Sequence, residues 1–475
     1  MPARAPADDR IDRDLLTVMG VLLVGASVAL LDTTIVAVAI AALTRVFDTT
    51  VQAAQWVTTA YLLAMAAAIP VMGWLTDRWG ARRVWLGVLG VFLAGSVLCG
   101  LSWSIESLVV FRIVQGLGGG LILPLVQAIL AGAAGPRRMG RAMGLIGIPG
   151  QLAPILGPVL GGLILDSLGW RWIFLVNVPI CLLAMALSVR HLRPGGAPRR
   201  TSPDWVGALL MIPATVAILA GLSEIDDVLG RSPLPGLLVG GGAVLLAGFV
   251  VHALRRGDRA LLDLRLFRHR SFGVATAMLF SSGACLYGPM LLVPLFYQQA
   301  RGIPAADVGW LLAPQGLGLM GALGVAGRCA DRIGPRIVAL GGTALVGVGL
   351  AVFAVAGGAH LAVLSLGLVA LGAGLGGIGV AVSATSYRDV SPAAIPTATS
   401  LLNVVQRIGA STGTVVVALV LHLELTGLDP AAKTQATVAA FAHAFAWTLG
   451  FLAVVAALAP FLPATPPPRS TDSPP

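Results

Sequence analysis

The sequence predicts an all-α polytopic membrane protein, and three observations support that fold class. Of the 475 residues, 57% are hydrophobic and only 11% are charged, whereas a soluble domain carries about 25% charged residues. The chain contains about fourteen apolar runs close to the length, roughly 20 residues, that a helix needs to cross a bilayer. Most Lys and Arg residues lie in alternate segments between these runs. The composition therefore excludes soluble enzymes, nucleic-acid-binding proteins and disordered scaffolds.

The apolar runs predict an order of six, two and six transmembrane helices. The predicted spans are 15–43, 53–72, 84–101, 107–133, 142–165, 173–189, 206–222, 236–254, 272–298, 308–326, 337–357, 361–384, 398–421 and 438–462. We therefore predict an N-terminal six-helix bundle at 1–190, a linker with two extra helices at 191–270, a C-terminal six-helix bundle at 271–462 and a disordered tail at 463–475.

The distribution of basic residues predicts the orientation. With the N-terminus in the cytoplasm, 24 of the 31 Lys and Arg residues fall in cytoplasmic segments and five fall outside. This excess of positive charge predicts that both termini are cytoplasmic and that the number of spans is even. The first apolar run is too long for a signal peptide, so we expect it to be retained. A single lysine among abundant Ala, Gly and Arg is typical of a bacterial source, which suggests the bacterial inner membrane.

One loop motif occurs twice. The segment Gly73–Arg82 and the segment Gly327–Arg336 share Gly, Asp, Arg, Gly and Arg at identical internal spacing, and every matched pair is 254 positions apart. Both copies lie between the second and third predicted spans of a six-span block. The repeat predicts two related halves, an arrangement that in transporters places the substrate site near the membrane midplane between them.

Several motifs resemble those of one transporter family. The loop GWLTDRWGARR from Gly73 resembles the signature loop of the major facilitator superfamily, and LVVFRIVQGLGGG from Leu108 resembles its fourth-span motif. The segment GQLAPILGPVLGG from Gly150 resembles the fifth-span motif of its antiporters. The segments LDTTIVAVAI, QWVTTAYLLAMA and WRWIFLVNVPI resemble the fourteen-span drug:proton antiporter branch, although Ala37 stands where an Asn is expected.

This resemblance implies a major facilitator fold and a proton-coupled antiporter that exports drugs, antibiotics or other lipophilic, often cationic compounds by alternating access. It also implies two groups of functional residues. The cytoplasmic gate would contain Gly73, Asp77, Arg78, Gly80, Arg82, Asp331 and Arg332. The antiporter motif helix would contain Gly150, Pro154, Gly157, Pro158, Gly161 and Gly162. The alternatives are a simple topology signal for the loop and ordinary close packing for the glycines.

Asp32, Arg112 and Gln115 are the predicted site for proton coupling and substrate. Asp32 lies just past the middle of the first span, where an ionised carboxylate costs roughly 2.5–3.5 kcal/mol on insertion scales. Desolvation raises the pKa of a carboxyl group, which suits proton exchange. Arg112 reaches a comparable depth from the outside and stays charged, so it can act on Asp32 or Gln115 without carrying the proton. The alternatives are a structural Asp32 bonded to neighbouring threonines and an Arg112 that only bridges two spans.

A second group of residues is the predicted substrate cavity. Its members are Trp56, Tyr61, Met65, Tyr287, Phe296, Tyr297, Asn403 and Arg407. Aromatic faces and Met are suited to lipophilic cations, although each residue taken alone equally suits packing. Asn403 and Arg407 are four residues apart on one helical face, where they form either a second polar site or an interhelical clasp.

The sequence predicts no cofactor and no metal site. The four cysteines have no CxxC spacing, and no GxxxxGK[ST] loop for ATP is found. We therefore predict a transporter that is not an enzyme, uses the proton gradient and works as a monomer. Its partners would be a lipophilic small molecule, protons and membrane lipid, without nucleic acid.

Three alternative functions are considered. They are an exporter dedicated to one metabolite or self-made antibiotic, a nutrient symporter, and a membrane enzyme or receptor. For an enzyme or receptor, no buried nucleophile or large extramembrane module is visible in the sequence.

Overall fold

The computed structural model describes residues 12–150, 153–193, 203–223, 233–257, 260–355, 359–391, 394–425 and 433–464, and these ranges are helical with no β-strand. The N-terminal helices are α1 (Arg13–Val46), α2 (Val51–Ala68), α3 (Met72–Trp79), α4 (Ala81–Gly100), α5 (Ile105–Gly150), α6 (Ala153–Ser167), α7 (Trp172–Leu175) and α8 (Asn177–His191). The linker holds α9 (Trp205–Ser223) and α10 (Leu234–Arg256). The C-terminal helices are α11 (Arg270–Leu295), α12 (Ala305–Ile333), α13 (Pro335–Val355), α14 (Leu361–Ser386), α15 (Ile395–Leu425) and α16 (Lys433–Leu458).

Thirteen helical segments among the described residues are long and apolar enough to cross a membrane. The predicted fifth span, 142–165, is divided between the end of α5 and α6, and residues 151 and 152 between them lie outside the described ranges. The all-helical architecture with about fourteen spans is therefore confirmed. Most of the predicted C-terminal tail, from residue 465 onward, lies outside the described residues.

Three predicted boundaries differ from the structure. The fourth and fifth predicted spans are joined because α5 stays helical to Gly150, through the basic segment that was expected to be a loop. The second span ends earlier than predicted, at Ala68, where a 3-10 turn containing Pro70 leads into α3. Proline lacks a backbone N–H donor, which favours such a break. The sixth span is interrupted at Val176, between α7 and α8.

The repeated loop motif has the same backbone feature in both copies. Gly80 connects α3 to α4 with φ +80°, and Gly334 connects α12 to α13 with φ +94°. A side chain with a Cβ is unfavourable in this region of φ, so glycine is required at both turns. The repetition at the sequence level therefore extends to the conformation of the two turns.

Packing within each predicted half is dense. In the N-terminal part, α1 packs on α5, α6 and α8, while α5 also packs on α2 and α4. The backbones of α4 and α5 approach closely where Gly95 faces Gln115, because a Cβ on Gly95 would meet the Gln115 backbone. In the C-terminal part, α12 and α13 pack on α14, and α11 packs on α15. The linker helix α9 packs on α10 and contacts both α2 and α15.

Asp204 holds the linker pair together. Its carboxylate accepts hydrogen bonds from the backbone N–H of Gly207 at 3.0 Å and of Leu261 at 2.9 Å. His252 Nε2 lies 2.9 Å from the same carboxylate, and Arg256 Nη1 lies 3.5 Å away. Burial acts to raise the pKa of Asp204, but the bonds from Gly207, His252 and Leu261 outweigh it and hold the pKa below its usual 3.8.

Candidate functional site

Asp32 is the centre of a buried polar network in the N-terminal helices. Its side chain on α1 is 1% exposed. Oδ2 accepts a hydrogen bond from Arg112 Nη1 at 2.6 Å, and Oδ1 accepts from Gln115 Nε2 at 2.9 Å and from Asn177 Nδ2 at 3.0 Å. All three donors come from other helices than α1. The structure thus brings the three predicted residues Asp32, Arg112 and Gln115 into direct contact.

Arg112 is held by hydrogen bonds through Nε and Nη1 and by an aromatic ring. Its Nε donates to the Val57 carbonyl oxygen at 3.1 Å, and its Nη1 also donates to Gln115 Oε1 at 2.7 Å. The guanidinium carbon lies 3.8 Å from the centre of the Tyr61 ring, a cation–π geometry. Both charged side chains of the ion pair are fully buried. Removing one partner of such a pair leaves an uncompensated charge and typically costs about 3–5 kcal/mol.

Two members of this network were not among the predicted site residues. Ser96 on α4 accepts from Gln115 Nε2 at 2.8 Å, and Asn177 at the start of α8 lies 3.4 Å from the same Oγ. Asn177 does belong to the segment WRWIFLVNVPI that carries part of the family resemblance. A buried amide inside an otherwise apolar run was the signal that could have identified it.

Polar atoms without partners remain in the network. Tyr61 Oη, Arg112 Nη2 and Asn177 Oδ1 are buried and have no hydrogen-bond partner among the described residues. Above the network, towards the outer ends of the helices, an apolar cluster includes Ile35 and Phe174. Asp32, Gln115 and Asn177 are at most 1% exposed, so the network is shielded from solvent in this conformation.

The antiporter motif helix packs directly beside Asp32. A Cβ on Gly157 of α6 would collide with Thr34, two residues along α1 from Asp32. At Gly161 a Cβ would lie 3.2 Å from the Ile35 carbonyl oxygen, whereas at Gly162 it would meet nothing within 4 Å. Gly157 and Gly161 therefore face α1, and Gly162 does not. Gly150, Pro154 and Pro158 are helical residues whose side-chain surroundings lie outside the description.

One face of α15 meets the N-terminal helices on the predicted cytoplasmic side. Thr397 packs against Gly73, where an added Cβ would lie 2.7 Å from Thr397 Oγ1. Ser400 Oγ donates to the Ile69 carbonyl oxygen at 2.6 Å, and Asn403 Nδ2 donates to Gln127 Oε1 on α5 at 2.9 Å. These positions recur every three residues and form one stripe along the helix. Here the two predicted halves are in contact.

Arg407 lies one turn further along this stripe. It is partly exposed and lies near Tyr61 of α2 and Tyr287 of α11. No acidic partner forms an ion pair with Arg407 in the described residues. Tyr287 is 44% exposed. Four of the predicted cavity residues, Tyr61, Tyr287, Asn403 and Arg407, thus lie where α15 faces the N-terminal helices.

The other predicted cavity residues lie elsewhere. Phe296 and Tyr297 are fully buried in the C-terminal core, where Phe296 makes edge-to-face contacts with Phe353 and Phe441. Met65 is 4% exposed and packs against α5 at Gly120. Trp56, by contrast, is 46% exposed. The burial of Phe296, Tyr297 and Met65 fits the packing interpretation, because aromatic and Met side chains suit a core as well as a cavity.

The predicted gate residues line the ends of the helices around the repeated loops. Asp331 pairs with Arg141 of α5 across the two predicted halves at 3.4 Å. Arg82 Nη2 donates to the Val189 carbonyl oxygen of α8 at 2.5 Å. Asp77 is partly buried at the end of α3, and Arg78 and Arg332 are exposed. Within the described ranges, no group of three or more His, Cys, Asp or Glu residues is arranged to hold a metal ion.

Comparison with known families decides the class of protein. The family model described as Major Facilitator Superfamily matches residues 22–414 and again 276–475. The chain belongs to the major facilitator superfamily. It is therefore a multi-pass membrane transporter, and the family resemblance of its motifs is confirmed.

Curated relatives cover most of the chain. It is 37% identical over 424 residues to the "Multidrug resistance protein B homolog" of Mycobacterium tuberculosis, covering 87% of this chain and 77% of the relative. The "Drug efflux pump JefA" of the same species is 32% identical over 404 residues, covering 84% and 79%. The "Putative multidrug resistance protein MdtD" of Salmonella typhi is 29% identical over 438 residues, covering 90% of each.

Solved structures show the same fold. The human organic anion transporter MFSD10 (TETRAN) has a TM-score of 0.63 at 18% identity, covering 93% of this chain and 100% of its own. A double-Trp mutant of XylE has a TM-score of 0.63 at 16% identity, covering 96% of this chain and 97% of its own. At these identities the likeness supports the fold alone.

Proposed function

We propose that this transporter is a proton-coupled antiporter of the bacterial inner membrane that exports drugs, antibiotics or other lipophilic compounds. The observation that carries the proposal is the buried Asp32–Arg112 pair, since a carboxylate within the membrane is costly and usually marks an ion, proton or substrate pathway. The names of the relatives, multidrug resistance protein and drug efflux pump, support the substrate class and the direction.

In this proposal Asp32 carries the proton. Arg112, Gln115 and Asn177 stabilise its ionised form through hydrogen bonds of 2.6–3.0 Å. Protonation removes the charge that Arg112 neutralises, so the ion pair weakens while the guanidinium keeps its own charge. The pair thus has two states that differ by one proton. Such a two-state element can bias a conformational equilibrium.

Alternating access would use the contacts of α15. With Thr397, Ser400 and Asn403 joined to the N-terminal helices, the predicted cytoplasmic side is closed. The Arg141–Asp331 pair adds a charged contact on the same side. Breaking these contacts opens a path from the cytoplasm to the region of Tyr61, Tyr287 and Arg407. We propose that this region is the substrate cavity, where aromatic faces bind the lipophilic body.

The proton gradient supplies enough energy for this exchange. One charge that crosses 100 mV gains about 2.3 kcal/mol, and each pH unit adds about 1.36 kcal/mol. One or two protons per cycle therefore support a substrate gradient of roughly tenfold to thousandfold.

Efflux of ethidium from cells that express the protein tests the proposal. Loaded cells should lose ethidium faster than cells with an empty vector, and a protonophore should abolish the difference. The matched control is Asp32→Asn, which keeps the size of the side chain and removes its titration. Energised efflux that resists the protonophore contradicts proton coupling. Absence of efflux at normal membrane abundance contradicts the broad drug exporter and favours a single dedicated substrate.

A further inference from the structure

Only one of the two polar atoms in the Asn177 side-chain amide forms a hydrogen bond with the described part of the chain. Its Nδ2 donates to Asp32 Oδ1 at 3.0 Å, whereas its Oδ1 is buried and accepts no hydrogen bond from any described residue. The side chain is 1% exposed. A buried acceptor without a donor is unfavourable by about 1–3 kcal/mol. This acceptor belongs to the amide that already contacts the buried carboxylate.

The hydrogen bonds around Asp32 fit its ionised form and conflict with its protonated form. An ionised carboxylate only accepts, whereas a carboxylic acid has an O–H that must donate. At Oδ1, however, the amide donors of both Gln115 and Asn177 point at the oxygen. A proton on Oδ1 would meet these donors, so one of the two amides must turn when the proton binds this oxygen.

Asn177 is better placed to turn than Gln115. Gln115 uses both ends elsewhere, because Oε1 accepts from Arg112 Nη1 at 2.7 Å and Nε2 donates to Ser96 Oγ at 2.8 Å. Asn177 has a 3.4 Å contact with Ser96 as its second interaction. Turning Asn177 therefore breaks less hydrogen bonding than turning Gln115, and it brings the unused Oδ1 to the acid.

We propose that Asn177 is a positioning residue that responds to the protonation state of Asp32. With Asp32 ionised, Asn177 donates through Nδ2. When a proton from water binds Asp32 Oδ1, the amide turns over and Asn177 Oδ1 accepts the new O–H. No other covalent bond forms or breaks, and release of the proton reverses the turn. This inference depends on the proposed role of Asp32 in proton coupling.

The position of Asn177 connects this turn to helix packing. Asn177 is the first residue of α8, directly after the break at Val176 that separates α8 from α7. Both α7 and α8 contact α1, and α7 also contacts α6, the antiporter motif helix. A turn of the Asn177 amide therefore occurs where α7 meets α8, next to the helices that pack around Asp32.

Other titratable or charged groups face the same carboxyl group. They are Arg112 on α5, Tyr61 on α2, Cys99 on α4 and Cys181 on α8. An effect of pH on transport alone would therefore not identify Asn177. The test must observe the Asn177 amide itself.

The sequence makes that observation practical, because asparagine occurs twice in the chain, at positions 177 and 403. Purified full-length protein in lipid nanodiscs, labelled with ¹³Cγ,¹⁵Nδ2-asparagine, should give two side-chain amide signals by NMR. Asn177→Gln removes and so assigns one of them. We expect the Asn177 signal to move with pH in a single transition and the Asn403 signal to stay. In Asp32→Gln, which adds no asparagine, the transition should disappear.

An Asn177 signal that stays constant with pH overturns the inference, whether or not Asp32 titrates. Ethidium transport separates the two failures. Protonophore-sensitive efflux with a constant Asn177 signal keeps the antiporter and rejects the amide switch, whereas loss of proton coupling in the wild type rejects both.

A second arm uses transport by variants with verified membrane abundance. Asn177→Leu has similar volume but can neither donate nor accept, so we expect maximal efflux to fall about tenfold or more, the effect of losing one hydrogen bond to a charged group. The concentration of ethidium at half-maximal rate should be unchanged. Asn177→Ser, whose hydroxyl can donate or accept, should retain more activity than Asn177→Leu and keep the pH profile of the wild type. Equal activity of the wild type and Asn177→Leu across the pH range contradicts the inference.

Discussion

Arg112 Nη1 lies 2.6 Å from Asp32 Oδ2, and both side chains are completely shielded from solvent. The pair joins α1 to α5 inside the N-terminal helices, with Gln115 and Asn177 on the second carboxylate oxygen. Buried pairs of this kind contribute little net stability, but losing one partner is expensive. In the proposed mechanism, this pair is the switch that opens when Asp32 gains a proton.

The first prediction concerns the ion pair. Arg112→Gln should reduce stability by about 3–5 kcal/mol, because Asp32 then carries an unpaired buried charge. The double variant Asp32→Asn with Arg112→Gln should recover most of that stability without recovering transport. Thermal unfolding in detergent and ethidium efflux measure the two quantities. If the double variant is as unstable as Arg112→Gln, the unpaired charge of Asp32 is not the cause of the lost stability.

The second prediction concerns the antiporter motif helix. Gly157→Ala should impair efflux and destabilise the protein by about 1–3 kcal/mol, since the new methyl group overpacks against Thr34. Gly162→Ala is the matched control on the same helix, because its methyl group meets nothing within 4 Å. Adding Thr34→Ala to Gly157→Ala should restore part of the loss. Equal effects of the two glycine variants would argue against close packing at Gly157.

The third prediction concerns the charged contact between the predicted halves. Arg141→Asp places two like charges together at Asp331 and should slow efflux by weakening the closed cytoplasmic side. The pair is partly exposed, so its contribution is small, about 1 kcal/mol or less. Arg141→Asp combined with Asp331→Arg restores opposite charges and should recover efflux. If the exchanged pair recovers no efflux, loss of the contact between positions 141 and 331 is not the cause of the slower efflux in Arg141→Asp.

The fourth prediction concerns the linker. Asp204 has its pKa held below 3.8, so its ionised form stabilises the fold above that pH, and the contribution disappears as the pH falls through the lowered value. Asp204→Asn should therefore lower the unfolding temperature near neutral pH, and the gap to the wild type should close on acidification. Asp263→Asn, which changes an exposed cap in the following segment, is the control. A gap that is independent of pH would contradict this account.

Some features were predictable because their chemistry is unusual in a membrane. Asp32 and Arg112 are charged residues within apolar runs. Pairing with an opposite charge lowers the free-energy cost of burying each of them in the membrane. The repeated loop was equally visible, and Gly80 and Gly334 show why its glycines recur, as both have positive φ. The positions of the membrane-spanning helices were predictable from the length and hydrophobicity of the apolar runs. Interruptions such as the one at Val176 were not, because contacts between helices determine them.

The orientation of aromatic residues was not predictable from the sequence. Tyr61 and Tyr297 are both fully buried tyrosines within spans, yet one covers Arg112 and the other lies in the C-terminal core. In lipid, a hydrophobic pattern does not distinguish a face that lines a cavity from a face that packs on another helix. Asn177 carried one signal in the sequence, an amide inside an apolar run, but its contact with Asp32 depends on helices that meet only in the folded chain.

Transport by the purified protein measures the exchange of protons for substrate at Asp32 without other cellular components. The full-length protein is reconstituted in liposomes, a pH gradient is imposed, and ethidium movement is followed by fluorescence with Asp32→Asn as the control. Ethidium should move against the direction of the proton gradient, dissipating the gradient should stop the movement, and Asp32→Asn should lose gradient-driven transport. Gradient-driven movement at the wild-type rate in Asp32→Asn would rule out proton coupling at Asp32.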